Sequence, residues 1–153
     1  MTGIVQYMTS SFKSEILSVQ HNFSTGSRTV TGQDVFKIAL YSAATATLDA
    51  TTTAYTTVGE IVGTGYTAGG NALTITQTPT TSGSPSTTAY INFADILWTG
   101  ATFSADGALI YNSTNGNKSV AVLNFGSTKT VSIGTFTIVF PPAGAGSAIV
   151  QIA

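Results

Sequence analysis

Cysteine is absent from this chain, and charge nearly so. Only 7% of its 153 residues are Asp, Glu, Lys or Arg, against about 25% in an ordinary globular domain. Without Cys there are no disulfides and no thiolate metal sites. His21 is the only His, so a two- or three-His metal site within one chain is excluded. Arg28 is the only Arg, and the Lys residues are well separated. A nucleic-acid binder needs a basic stripe to release counterions, and sequence proximity supplies none. Five basic and six acidic residues give a net charge of -1, so self-repulsion is weak and dense assembly costs little electrostatically. Residues 1–13 carry no basic region ahead of an apolar stretch and read as no signal peptide. The most apolar tail, 136–153, contains Pro141-Pro142 and Gly and Ser breaks, too many interruptions for a membrane span.

Thr, Ser, Gly and Ala fill the gap, with β-branched and aromatic residues between them. That blend suits strands and turns and does not suit helical bundles. The length is most simply one domain. Such a chain buries roughly 68–70% of its unfolded surface and needs no staples. The expected fold is all-β: an antiparallel β-sandwich or jelly-roll-like domain over residues 24–153, preceded by a short N-terminal helix or arm in 1–23.

In that first segment, Ser10 or Ser11 is placed to cap a helix over about residues 11–19. Phe12, Ile16 and Val19 fall at i, i+4, i+7, with Lys13 and Glu15 facing out. Strands are expected at 34–41, with Phe36, Ile38 and Leu40 on one face, and at 60–62, 73–77, 88–93 and 148–152. Residues 43–57 alternate weakly and read as an extended surface excursion. Residues 78–87, TPTTSGSPST, read as a Pro/Ser-rich loop. Residues 107–111 and 119–125 flank NSTNGNK, whose Asn115-Gly116 pair suits positive φ in a hairpin. Between 129 and 140 the apolar parity switches at Gly134, which predicts a bulge or a turn. In 120–123 and 138–140 both parities are apolar. A strand with one wet face alternates, so some of these outer faces are candidates to meet a second protein surface.

The chemistry-bearing motifs are sparse. Gly63-Thr-Gly65-Tyr-Thr-Ala68 fits G-x-G-x-x-A, but a turn and a strand follow where a dinucleotide fingerprint needs a helix. His21 has no G-x-S-x-G partner for a hydrolase triad. The acids Glu15, Asp34, Asp49, Glu60, Asp95 and Asp106 show no cue that pairs any two as glycosidase carboxyls. Residues 112–117 offer amides but no carboxylate for Ca²⁺. Asn22-Phe-Ser24 and Asn112-Ser-Thr114 are formal glycosylation sequons. Trp98, Tyr66, Tyr90 and Tyr111 are a candidate sugar-stacking platform. No catalytic, cofactor-binding or metal-binding residue is nominated.

Several phrases carry a resemblance: FKIALY at 36–41, LDATTTAYT at 48–56, EIVGTGYTAGGNALT at 60–74, ILWTGATFSADGALIYN at 96–112, VAVLNFGS at 120–127 and GTFTIVFPPAGAGSAIVQIA from Gly134 to the end. The chain resembles a family of small virion structural proteins of tailed bacteriophages. The resemblance implies a capsid decoration, or cement, protein on the head surface, made in the host cytoplasm. It would bind the major capsid protein and itself, as a homotrimer, with no nucleic-acid or membrane partner and no cofactor. Phe12, Ile16, Val19, Trp98, Val120, Val122 and Val139 are the candidate interface residues. The alternatives are a tail-associated subunit (tube, adaptor or fibre) and a carbohydrate-binding module that contacts host glycans.

Overall fold

The computed structural model describes residues 3–24, 32–82 and 88–152. Their elements are β1 (Gly3–Ile4), β2 (Tyr7–Met8), α1 (Ser10–Leu17), β3 (Phe36–Tyr41), β4 (Thr47–Leu48), β5 (Asn71–Ala72), β6 (Ile75–Ser82), β7 (Thr88–Phe93), β8 (Ile96–Asn112), β9 (Lys118–Ile138) and β10 (Val150–Ile152). A five-stranded sheet runs β2-β9-β8-β3-β5, a three-stranded sheet β10-β7-β6, and β1 pairs with β4. Every pairing in the two larger sheets is antiparallel, whereas β1–β4 is parallel. The fold is therefore all-β with one short helix.

The main core fills the space between the two larger sheets. Phe36, Ile38 and Leu40 of β3 meet Ile91 and Phe93 of β7, and Phe12 of α1 closes one side. Phe36 and Phe93 lie 6.1 Å apart, and Phe23 stacks on Phe36 at 4.2 Å. A second core lies on the opposite face of the five-stranded sheet. There Ala39, Tyr41, Leu109, Tyr111 and Val122 are covered by Ile4, Ala46 and Leu48. The alternation expected in β3 is thus real, but both of its faces are dry. Residues 43–57, expected as a surface excursion, form this extra layer instead, and Leu48 is fully buried.

The strands on either side of the Asn115-Gly116 turn run far beyond the expected 107–111 and 119–125. β8 and β9 form one hairpin of 17- and 21-residue strands. Its tight end pairs Tyr111 with Ser119 and Asn112 with Lys118, as the Asn-Gly signal implied. The positive φ falls on Gly116 and Asn117, one residue later than expected. The parity change near Gly134 is a bulge within β9, because the register shifts between Ala101/Gly134 and Phe103/Val131 while the strand continues. Part of the expected 78–87 loop is strand: β6 carries Pro79 and runs to Ser82. Residues 83–87 lie outside the described residues. Pro79 is tolerated because β6 is a sheet edge and its register shifts between Gln77 and Thr80, where a missing N–H breaks no ladder bond.

The N-terminal segment is part of the body. Thr9, not Ser10 or Ser11, occupies the N-cap; its hydroxyl donates to the Ser119 and Val120 carbonyls instead of capping. Gln20 N–H bonds to Glu15 O, and Val19 N–H to Ile16 O, the paired bonds of a Schellman stop. Val19 therefore sits past the helix end at φ 62, off the apolar face expected for it. Glu15, expected to face out, turns inward to His21 and Lys118. Phe12→Ala should cost about 3–5 kcal/mol, because the ring is 0% exposed. Leu17→Ala, on the same helix but 86% exposed, should stay within about 0.5 kcal/mol. Urea denaturation of both variants checks this; equal, small losses would mean the helix is a loose arm.

Candidate interaction surface

One sheet face changes character along the β8–β9 hairpin. Near its tight end the outer face is capped by the second core, through Leu109, Tyr111 and Val122. Farther along, the cover ends. There the inner positions Trp98, Phe103 and Phe136 stay in the main core. The outer positions Leu97, Thr102, Ser104, Thr130 and Thr137 are exposed. Ser104 and Thr130 hydroxyls bond across the strands at 2.8 Å. Residues 96–105 and 130–140 contain no charged side chain. The open face is lined by hydroxyls and aliphatic groups, with Leu97 53%, Ile133 89% and Val139 71% exposed.

Ile133 is also strained. Its φ is +49, a region where a β-branched residue is a genuine outlier. The cause is local. Two residues of β9, Ser132 and Ile133, bulge opposite the single Thr102, and the Ile133 N–H is held by the Thr102 hydroxyl at 3.0 Å. Val19 repeats the combination: positive φ on a β-branched residue that is 45% exposed. Gly or Asn takes this conformation without that penalty.

The candidate interface residues separate by burial. Phe12, Val120 and Val122 are 0% exposed and Trp98 is 2%, so these four side chains lie inside this chain and are not on its surface. The apolar run 120–123 reflects two internal cores, not an outer contact: Val120 belongs to the main core and Val122 to the second. Ile16 lines a shallow apolar groove with Phe23, Pro79, Tyr90, Ile91 and Val150. Val19 and Val139 are exposed. Sequence reading missed Leu97 and Ile133. Leu97 was detectable as the outward neighbour of Trp98; the strain at Ile133 had no signal beyond the parity switch beside it.

Other sites resolve into structural chemistry. The aromatic platform is not assembled on the surface, since Trp98 and Tyr111 are buried and Tyr66 packs against the main core. The Gly63–Asn71 corner leads into β5 rather than a helix; Gly70 has φ +66, and a Cβ there would collide with the Ile38 carbonyl. Glu60 anchors this corner, accepting bonds from Tyr55 Oη (2.6 Å), Tyr66 Oη (2.6 Å) and the Gly69 amide (2.7 Å). Burial first, and then the Glu60 carboxylate, push the Tyr55 and Tyr66 phenols well above their ordinary range. Every other acid also holds a donor. Asp34 takes the Asn22 amide, Asp49 the Thr51 amide, Asp95 the Phe140 amide, Asp106 the Ala43 amide, and Glu15 takes Lys118 and His21. Asn112 of the second sequon is fully buried. Among the described residues no three His, Asp or Glu side chains converge as a metal site.

Two outcomes follow. Ile133→Asn should raise stability by about 1 kcal/mol, read as a higher urea midpoint; a lower midpoint would mean the isoleucine side chain is needed by the fold itself. The Trp98 indole N–H is buried without an acceptor among the described residues. Trp98→Phe should therefore cost less than about 1.5 kcal/mol, against about 3–5 kcal/mol for Trp98→Ala. A Phe variant as damaging as the Ala variant would show that the indole N–H is paired in solution. Against protein-family models, curated proteins and solved structures, the chain finds no match.

Proposed function

We propose that this chain is a structural subunit of a tailed-phage virion, a decoration protein that docks on the head shell as a homo-oligomer. The observation that carries this reading is the open, uncharged end of the β8–β9 outer face, with Leu97, Ile133 and Val139 exposed on it. A surface made to stay free in water normally carries interspersed charges. Hydroxyl and aliphatic groups lose far less on leaving water than charges do, so this face is suited to burial against protein. The strain at Ile133 points the same way, because an asparagine there would relieve both the backbone and the exposure. The sequence phrases that resemble phage structural proteins supply the kind of partner. The major capsid protein repeats around the shell, so modest contacts per copy add through avidity. A cyclic oligomer would repeat the same patch about its axis.

Binding to head shells that lack the decoration layer tests the proposal. The unmodified protein should saturate the shells in hundreds of copies. Ile133→Asn and Leu97→Asp should each weaken binding at least about tenfold, or about 1.4 kcal/mol per contact, while remaining folded. Light scattering should show an oligomer at micromolar concentration. Failure of the unmodified protein to bind shells would overturn the reading, and a small ring of copies confined to the tail would move it to the tail-associated alternative.

A further inference from the structure

A buried polar network around His21 joins the N-terminal segment to the β8–β9 hairpin. His21 sits at its centre with a fully buried side chain. The ring packs against Phe12 at 4.9 Å, Phe36 at 6.3 Å and Phe23 at 6.4 Å. The titratable groups that face it are Glu15 from α1, Asp34 from the segment before β3, and Lys118 from β9. Nε2 lies 2.9 Å from Glu15 Oε2, and Lys118 Nζ holds the other Glu15 oxygen at 2.8 Å. On the opposite side, Nδ1 lies 3.2 Å from Asn112 Nδ2.

The Asn112 amide fixes the proton on His21. Its Oδ1 accepts the Thr114 and Asn115 backbone amides, both at 3.1 Å. Its Nδ2 donates to Asp34 Oδ2 at 2.7 Å. That oxygen also accepts the Asn22 amide at 2.8 Å. The second Nδ2 hydrogen faces His21 Nδ1 at 3.2 Å, with the Gln20 carbonyl farther off at 3.5 Å, so Nδ1 faces a donor and serves as an acceptor. The neutral ring therefore carries its hydrogen on Nε2 and donates it to Glu15. A second proton, on Nδ1, would set donor against donor. Turning the Asn112 amide over only moves the conflict to the two loop amides.

We propose that residues 20–24 and the end of α1 form an acid-released latch on the β8–β9 hairpin, closed while His21 is neutral and opened when Nδ1 takes a proton. The same segment is held to the hairpin by Asn115 Nδ2, which donates to Gln20 O at 2.7 Å. Losing the His21 contact therefore loosens a short strap and not the sheets. Opening would uncover the Phe12, Phe23 and Phe36 rings, which form one end of the main core. The direction agrees with the electrostatics. Burial pushes the imidazole below its ordinary 6.5, although Glu15 and Asp34 pull it up. A depressed folded value means that the closed state is at full strength above pH 6.5 and weakens as pH falls below it. Glu15 is raised by burial, but its bonds to Lys118 and His21 outweigh that and hold it below 4.5. Its contribution is lost only in that lower window. The latch stands on the fold and is independent of the proposed virion role.

Nuclear magnetic resonance of the ¹⁵N-labelled full chain between pH 8 and pH 5 tests it. At pH 8 the ring should be the Nε2–H tautomer. As His21 gains its second proton, exchange of the Asn22 and Asp34 amides, corrected for intrinsic pH dependence, should rise at least tenfold. The Ile110 amide inside the hairpin should stay protected. His21→Gln should lack the step. An Nδ1–H tautomer at pH 8, a doubly protonated His21 with both amides still protected, or the same acid step in His21→Gln would each overturn the latch. If the variant does not fold, the ring shifts of the unmodified protein decide the matter.

Discussion

The pairing of β8 with β9 is the constraint on which the rest of the structure depends. Its inner face supplies Trp98, Phe103, Ile110 and Val120 to the main core, and its outer face supplies Leu109 and Val122 to the second. β3 registers on β8 from Phe36↔Asn112 to Tyr41↔Gly107, so the placement of β3 is inherited from the hairpin. The N-terminal segment is inherited too: β2 pairs with Ala121 and Val122, and the Thr9 amide bonds to Val120 O. A one-residue slip would turn each strand's apolar set to the wrong side. The chain prevents this with a tight Gly116–Asn117 end and with bulges that re-phase the strands at Gly107 and Gly134. A side chain at Gly107 would meet the Leu123 carbonyl and Ile4, so the second core can close there only over glycine.

Local signals were legible wherever a local cause sets the structure. The hairpin turn, the alternation of β3, the strand at 88–93 and the bulge near Gly134 all follow from residues within a few positions of each other. The second core was not legible, because its lid comes from 43–48 and from Ile4, far from the strands it covers. With that lid out of view, apolar residues on both faces of 120–123 read as a surface waiting for a partner. The burial of Val120 and Val122 has a simpler cause, a third layer supplied by the same chain. Pro79 misled in the same manner. Proline argues against a central strand, but β6 is an edge, and edge position is a property of topology.

Scarcity of charge shapes the interior as well as the surface. In place of exposed ion-pair lattices, the chain uses each carboxylate as an acceptor for amides and hydroxyls. Glu60 gathers two phenols and an amide, and Asp106 holds the Thr128 hydroxyl and the Ala43 amide. Those bonds hold the Asp106 carboxyl below its usual range. Charge-assisted bonds of this kind are stronger than neutral ones, and each fixes a loop that has little apolar area of its own. The sequence displayed six isolated acids without a pairing cue, and their isolation has a structural meaning: they are distributed because the loops they fasten are distributed.

The uncovered end of the outer face is best understood by comparing the two halves of one surface. The sheet is continuous, and the half near the turn is sealed by aliphatic groups from 43–48. The far half has the same strands and regular pairing around Ser104↔Thr130, yet no segment among the described residues lies over it. The register pairs Lys129 with the inward-facing Ala105, so this charge lies off the wall, which carries the Ser104 and Thr130 hydroxyls bonded to each other across the strands. Such hydroxyls are already partly satisfied within the sheet, so covering them strips away little water. Leu97 and Ile133 then add apolar area that water does not reward. A wall of this composition is wet by default and dry at small cost, the balance an assembly surface requires when the partner is another protein and the contact must form without matched charges.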